Sequence, residues 1–392
     1  MARLKLLPEV KYSYELYDYN LLFIRWMADF CGMDMMVENY KINYRTVRTV
    51  VVLLFAIAST VYSAIIYFPN FYKIVELLMA FGITVQSAAK FSIGYFHWPF
   101  YKMMYNKLRL LHFINRDHAR NSQTLLLLIQ RIHLASKAIA AIYSMAFVVF
   151  NMYPLLWFWI MHEKVLSLAF IIPGLSTEAS YGYGITLIVH AFLIFLAVTG
   201  LVAADTVILL FVTSVSGYAD LLRNELDDLN ELLDSADYDR KIISEKVRRI
   251  CCMHQEVIQY ESDLDDRYIN TCFVQVVTSV TSISAALFLI YTKNHIPSYG
   301  LLPASLFQLL EFCLLGTVLT VKNQEIMESI YDAHWYKLPK EEQRCFELML
   351  HKSQNTIEMT IGGLAPLNIE TFVGIINRIY SYFMMLINFI ED

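Results

Sequence analysis

Hydrophobic residues occur along this chain in long blocks separated by polar segments, a pattern that predicts membrane-spanning helices. A helix needs about 20 largely apolar residues to cross a bilayer. The blocks without a charged residue are 49–69, 138–162, 179–204 and 268–292. The blocks interrupted by charged residues are 71–95, 299–321 and 367–390. Together they predict seven membrane spans.

The composition agrees with this pattern. Hydrophobic residues make up 57% of the 392 positions and charged residues only 17%, whereas roughly a quarter of the residues in soluble domains are charged. The apolar stretch 165–177 is too short to cross a bilayer and contains Pro173-Gly174, so we expect a loop or re-entrant segment there. The sequence therefore predicts an all-α polytopic membrane protein, with 1–392 forming one integrated seven-helix domain.

Lysine and arginine are distributed unevenly among the connections between spans. The segment before the first span and the second and fourth connections hold seven each, whereas the first, third and fifth connections hold one each. Because these residues accumulate in cytoplasmic loops, we expect a cytoplasmic N-terminus and, after seven crossings, an extracellular C-terminus.

The predicted cytoplasmic connections have helical periodicity of their own. Leu222, Leu226 and Leu229 recur at helical spacing after the fourth span. The fourth helix, 179–214, would be roughly 54 Å long against a hydrocarbon core of about 30 Å. We therefore expect long helices that project into the cytoplasm as anchor segments, at about 100–134, 215–265 and 323–358. They could pack on each other or on neighbouring subunits, and periodicity does not separate these two possibilities.

No phosphate-binding loop, nucleophile elbow or paired-cysteine motif is present in the sequence. Cys251-Cys252-x-His254 lacks a matching fourth metal ligand. We therefore expect no enzymatic activity, no cofactor or metal, and no nucleic-acid partner. Among charged residues within spans, Glu76 and Asp205 are expected to be solvated near the interfaces. Glu311 could serve a buried structural pair or a ligand or pore role.

Aromatic and a few polar residues lie at comparable depth in the predicted outer halves of the second, third and fourth spans. Apolar walls with few polar groups are typical of a pocket for a small apolar ligand, although such stripes also serve ordinary helix packing. We expect a small aromatic or heteroaromatic volatile, with Asn151 or His190 as hydrogen-bond partner. The candidate ligand-binding residues are Phe81, Thr84, Tyr143, Phe147, Phe150, Asn151, His190 and Ile194.

The last span carries a second candidate site. Met385, Asn388 and Phe389 lie on or near one face of a helix that contains Ser381. In a symmetric oligomer this face would provide a hydrophobic gate followed by a polar mouth. Packing against other helices is the alternative explanation for the same face.

Three segments near the C-terminus carry a family resemblance. Ser381-Tyr382, followed by five residues and Asn388, is similar to a Thr-Tyr, five-residue, Gln pattern of the insect odorant co-receptor and gustatory receptors. Residues 331–339, with Trp335-Tyr336, and 354–366, with Gly362-Gly363, resemble the segments that precede the last helix in odorant receptors. The chain thus resembles the insect odorant receptor family.

The resemblance implies the odorant-binding subunit of a heterotetrameric, ligand-gated, non-selective cation channel. Such a subunit opens only with an obligate co-receptor, and each of the four subunits lends its seventh helix to one pore. Carried onto this chain, the gate falls on Met385 and the neighbouring pore-lining position on Asn388. The implied location is the plasma membrane of olfactory neuron dendrites, in contact with lipid.

Two other functions are compatible with parts of the sequence. A gustatory-type receptor would form a homomeric ligand-gated channel, which the Ser and Asn of the terminal pattern mildly disfavour. A G-protein-coupled receptor would require an extracellular N-terminus, opposite to the orientation predicted from lysine and arginine.

Overall fold

The computed structural model describes residues 12–34, 36, 40–235, 239–356 and 358–391, most of them in helices. The α-helices are α1 (Ser13–Phe30), α2 (Tyr44–Tyr67), α3 (Phe71–Phe96), α4 (Trp98–Ile114), α5 (Ala119–Met161), α6 (Ser180–Asp234), α7 (Arg240–Lys293), α8 (Ile296–Asp332), α9 (Lys340–Ser353) and α10 (Ile369–Glu391). Extended pairing in the described part is a single bridge between Thr360 and Pro366. The predicted all-helical fold class is confirmed.

Six described helices, α2, α3, α5, α6, α7 and α8, are long and apolar enough to span a bilayer. The seventh predicted span, 367–390, coincides with the 23-residue helix α10. Between α5 and α6 the chain forms no helix, and Gly174 takes a positive φ of 79°. The segment 165–177 is therefore a loop, as Pro173-Gly174 led us to expect.

The two longest helices, α6 and α7, have 55 and 54 residues. At 1.5 Å per residue each is about 80 Å long, far more than a bilayer core requires. Beyond the predicted spans they pack as a hairpin, in which Lys246 and Arg249 of α7 contact Glu225 of α6 at 2.7 and 3.0 Å. This hairpin therefore packs within one chain, which is one of the two arrangements that periodicity had left open.

His112 of α4 packs against α1 in this helical bundle. Its ring stacks on Tyr17 with centroids 5.2 Å apart, and its Nδ1 has no hydrogen-bond partner in the described part of the chain. Burial lowers the pKa of His112 from 6.5 to about 4. The folded state therefore holds this ring neutral, while the unfolded chain protonates it at a higher pH.

We predict that His112 makes the protein less stable in mild acid. Between pH 6.5 and 4 the unfolded state binds the extra proton, so the free energy of unfolding falls by up to about 3 kcal/mol as pH is lowered. His112→Phe, which keeps a ring on Tyr17, should flatten the fall in melting temperature of the purified protein. The exposed His118 provides a control, and an equal change in His118→Gln would contradict the assignment.

Candidate functional site

A cavity of about 420 Å³ lies among α2, α3, α6 and the loop between α5 and α6. It extends along α3 from Lys73 to Phe91 and along α6 from Tyr183 to Leu201. Most of its wall is apolar, with polar side chains concentrated toward its two ends. We call these the Glu76 end and the Lys90 end. This combination of an apolar wall and a few polar groups is typical of small-molecule sites.

The loop between α5 and α6 forms one wall of the cavity and is fixed by specific contacts. Ser63 Oγ of α2 accepts a 2.8 Å hydrogen bond from the Ile171 amide, and Tyr183 Oη donates to the Val165 carbonyl at 3.0 Å. Phe170 is 2% exposed and packs edge-on against the His190 ring. The loop is therefore an ordered wall that joins α2 to α6.

The Glu76 end carries a small cluster of charged side chains. Glu76 Oε2 forms a 2.7 Å ion pair with Lys73 Nζ, and Glu76 Oε1 lies 3.6 Å from His295 Nε2. Lys164, which is exposed, donates to the Glu178 carbonyl. The carboxylate at this end is thus already matched by neighbouring basic groups.

The Lys90 end carries a buried charge network. Lys90 Nζ of α3 lies 2.5 Å from Asp205 Oδ1 of α6, with the two side chains 3% and 0% exposed. Tyr143 Oη donates to the other Asp205 oxygen at 2.6 Å, and Gln308 Nε2 donates to Tyr143 Oη at 3.1 Å. The network therefore ties α3, α5, α6 and α8 together where the cavity ends.

Glu311 of α8 adds a second buried acidic side chain near the pair of Lys90 and Asp205. Its two oxygens have no hydrogen-bond partner within the described residues. Asp205 is 1% exposed, so the expectation that it is solvated at an interface is wrong. Lys90 of α3 neutralises the Asp205 carboxylate, so this carboxylate does not have to be solvated by water.

The eight candidate ligand residues take different positions. Thr84, Phe150 and Ile194 line the cavity. The other five lie outside the lining. Three of them contact other helices or the loop. Tyr143 belongs to the charge network, His190 packs against the loop, and the Phe147 ring packs against Phe195 with ring centroids 5.7 Å apart. The two that remain are Asn151, which donates to the Phe147 carbonyl at 2.8 Å, and Phe81, which is partly buried.

Sequence reasoning missed two parts of this site. It did not assign the wall formed by α2 and the loop, which includes Val52, Ala56 and Phe170, because apolar residues on a predicted span carry no signal for which helix they face. Lys90 is one of the charged residues that interrupt the predicted span 71–95, and it received no role. A buried lysine in an apolar helix is a usable signal, since such groups need a partner or a function.

The candidate gate lies on a face of α10 that the single chain leaves uncovered. Met385 is 53% exposed and Asn388 is also exposed. Ile379 and Ile387, at other positions of the same helix, are buried. The side chain of Phe389 lies outside the described residues. α10 thus presents Met385 and Asn388 outward, as either a pore-facing or a lipid-facing surface requires.

The start of α10 is fixed to α8, which carries Glu311 and Gln308. A Cβ on Gly316 would lie 1.6 Å from the Leu367 carbonyl oxygen, so the two backbones meet directly. One residue further along α8, Thr317 Oγ1 accepts a 2.9 Å hydrogen bond from the Ile369 amide. The helix that contacts the Lys90 network therefore also holds the base of α10.

A family model described as 7tm Odorant receptor matches residues 70–380 of this chain. Putative odorant receptor 83c of Drosophila melanogaster is 27% identical over 261 residues, covering 63% of this chain and 65% of that protein. Odorant receptor 10 of Aedes albopictus is 23% identical over 260 residues, covering 64% and 66%. The chain therefore matches slightly less than two thirds of the length of each of these relatives.

The solved structure of the insect olfactory receptor OR5 from Machilis hrabei covers 95% of this chain and 99% of its own, with a TM-score of 0.79 and 12% identity. The structure of the same receptor in complex with eugenol gives a TM-score of 0.75 at 10% identity, covering 96% of this chain and 99% of that one. At this level of identity the match establishes the fold shared along nearly the whole chain.

Proposed function

Because the chain belongs to the odorant receptor family, we propose that it is the odorant-binding subunit of a ligand-gated, non-selective cation channel. The observation that carries the proposal is the largely apolar cavity of about 420 Å³ among α2, α3, α6 and the loop between α5 and α6. A small volatile enters this cavity, and most of its surface is removed from water there. The eugenol complex of OR5 from Machilis hrabei, which shares the fold, supports a small volatile as ligand.

The channel is a heterotetramer of this chain with an odorant co-receptor, in the plasma membrane of olfactory neuron dendrites. Four α10 helices surround the pore, with Met385 at the gate and Asn388 beside it. The ligand acts by a population shift, because it binds the open arrangement better than the closed one. The contacts from α8 to the base of α10, at Gly316 and Thr317, give a physical route from cavity to pore.

The proposal is tested by recording current from cells that express this chain with and without an odorant co-receptor, during exposure to aromatic, heteroaromatic and aliphatic volatiles. Fast cation current only in the paired cells is the expected result. Current from the chain alone would instead identify a homomeric gustatory-type channel. Silence in both, with surface expression verified, would contradict the channel function.

We predict that Met385→Ala raises the basal conductance of the co-assembled channel severalfold. Alanine removes most of the apolar bulk that excludes water from a hydrophobic constriction. The measurement is current without ligand, together with sensitivity to a pore blocker. Met384→Ala is the matched control, because Met384 is also partly exposed but lies about 100° around the helix. Unchanged basal current and block in Met385→Ala would remove this residue from the gate.

A further inference from the structure

We propose that the contact between α7 and α9 is a binding site for the soft metal ion Cu(I), formed by Cys251 of α7 and by Cys345 and Met349 of α9. The site lies outside the cavity and away from α10, and its test needs neither an odorant nor a channel current. Three observations carry it: three sulfur atoms converge, the two helices are held in register beside them, and both thiols are partly exposed.

The three sulfur atoms meet where α7 packs against α9. The Cys251 thiol donates to the Met349 thioether, with Sγ and Sδ 3.4 Å apart. Cys251 also interacts with the Cys345 thiol through a hydrogen bond. Cys345 and Met349 are four positions apart on α9, so they lie on one face of this helix. At metal–sulfur bond lengths of about 2.3 Å, sulfurs this close can bind one ion together.

A second contact holds the two helices in register one turn beyond the sulfur atoms. His254 Nε2 of α7 lies 2.8 Å from Ser353 Oγ of α9, and the two residues are 3% and 5% exposed. His254 follows Cys251 by three positions, and Ser353 follows Met349 by four. The sulfur ligands are therefore placed by rigid helices rather than by a loop, which is the arrangement that fixes ligand geometry best.

The cluster has an entry path for an ion. Cys251 and Cys345 are partly exposed, whereas Met349 beneath them is 5% exposed. By comparison, Cys272 and Cys313 lie within the predicted spans and are both 0% exposed. The partly exposed thiols belong to the predicted cytoplasmic part of the chain, where thiols stay reduced. They are thus available as metal ligands.

The donor set selects Cu(I) among the metals that bind sulfur. Thiolates and thioethers are soft ligands that suit this ion. Zinc sites use three or four His, Cys or carboxylate ligands, and no three His, Cys, Asp or Glu side chains converge within the described ranges of the chain. An iron–sulfur cluster requires four cysteines. Two thiols with one thioether therefore fit Cu(I) best.

The sequence pattern Cys251-Cys252-x-His254 did not reveal this site, because two of the three ligands lie about 100 residues further along the chain. Cys252 is exposed, and His254 is engaged by Ser353. Only Cys251 of that pattern belongs to the cluster. The expectation of no metal therefore followed from a search for ligands along a single helix.

Binding replaces two S–H bonds by two Cu–S bonds and releases two protons to water, because a coordinating thiol loses its proton. No oxidant is needed. The competing chemistry is oxidation, in which the thiols of Cys251 and Cys345 lose two hydrogens to form a disulfide and hydrogen peroxide becomes two waters. Burial raises the pKa of Cys251 to about 12, which leaves little thiolate to attack a peroxide. Metal binding is therefore favoured over oxidation.

The test measures Cu(I) binding to the purified full chain in lipid nanodiscs, without oxygen and in competition with the chelator bathocuproine disulfonate. We expect one tightly bound Cu(I) per chain, sulfur neighbours in X-ray absorption spectra, and a higher melting temperature, because an ion that binds only the folded state stabilises it. Cys251→Ser should abolish this binding. Met349→Leu, a volume-conserving change, should weaken it about tenfold or more, since losing even an outer-shell partner costs about 10–100-fold.

Cys252→Ser is the matched control, because Cys252 is the exposed neighbour of Cys251 and is no ligand of the proposed site. Its Cu(I) affinity should equal that of the wild type. Retained affinity in Cys251→Ser, or an equal loss in Cys252→Ser, overturns the site. Equally tight Zn(II) binding overturns the choice of metal. If Cys251→Ser does not fold, Met349→Leu decides, and unchanged affinity there overturns the proposal.

The competing oxidation is distinguished by mass spectrometry after peroxide treatment. Loss of two hydrogens from a peptide pair that contains Cys251 and Cys345, in a chain that binds no Cu(I), would identify a disulfide pair and overturn the metal site. Cu(I) binding that protects both thiols from alkylation is the result expected from the proposal.

Discussion

Gly316→Ala is expected to prevent correct packing of α10 and to abolish ligand-gated current. A Cβ at this position would lie 1.6 Å from the Leu367 carbonyl oxygen and 2.8 Å from its carbonyl carbon. Both are backbone atoms, so no side-chain rotation relieves the clash. The segment that leads into α10 has to move away from α8, which also breaks the hydrogen bond from the Ile369 amide to Thr317. Overpacking of this kind costs about 1–3 kcal/mol, occasionally more.

The measurement is the thermal stability of purified protein, together with surface expression and current in paired cells. Gly184→Ala is the matched control, because Gly184 also lies in a helix and a Cβ there would have nothing within 4 Å. Alanine in a helix with open space stabilises by about 0.5–1 kcal/mol. Equal stability and equal current in the two variants would show that the contact between α8 and Leu367 is not tight.

The second large effect concerns two buried carboxylates that lie near the same lysine. Asp205→Asn is expected to destabilise the protein by about 3–5 kcal/mol, because it leaves the Lys90 ammonium buried without its closest counter-ion. Glu311→Gln makes the same chemical change nearby, yet it should leave stability within about 1 kcal/mol of wild type, because neither oxygen of Glu311 has a hydrogen-bond partner among the described residues that the substitution could remove.

The stabilities of Asp205→Asn and Glu311→Gln are compared by chemical or thermal unfolding of purified protein in detergent. Tyr143→Phe provides an intermediate case, since it removes one 2.6 Å hydrogen bond to Asp205 and keeps the ion pair; its expected cost is about 1–2 kcal/mol. If Glu311→Gln proved as damaging as Asp205→Asn, the assignment of Asp205 as the principal partner of Lys90 would be wrong.

The positions of the spans were predictable because a bilayer imposes a length requirement on each apolar segment. The block 71–95 corresponds to α3 (Phe71–Phe96), and 367–390 corresponds to α10 (Ile369–Glu391). The hairpin of α6 and α7 was predictable for a similar reason, because leucine spacing continues past the length a bilayer can hold. Local periodicity is sufficient for such features, since each depends on one helix and its solvent.

The ligand site was less predictable. Phe147 and Asn151 were chosen for their depth and helical spacing, but depth does not determine which neighbour a helix face meets. The structure turns Phe147 toward Phe195 and brings the loop residue Phe170 and the α2 residue Val52 to the cavity wall. The missing information is the order and rotation of helices, which long-range packing decides.

The sequence alone thus determined that the chain is a helical, multi-pass membrane protein, and its C-terminal motifs carried the resemblance to its family. These properties follow from hydrophobic length and local residue order. Only the tertiary structure decided that Lys90 pairs with Asp205 across 115 positions of sequence, and that Gly316 meets the backbone at the base of α10. Such contacts join residues distant in the chain, and their partners are selected by packing and charge neutralisation in a medium where an unpaired charge is costly.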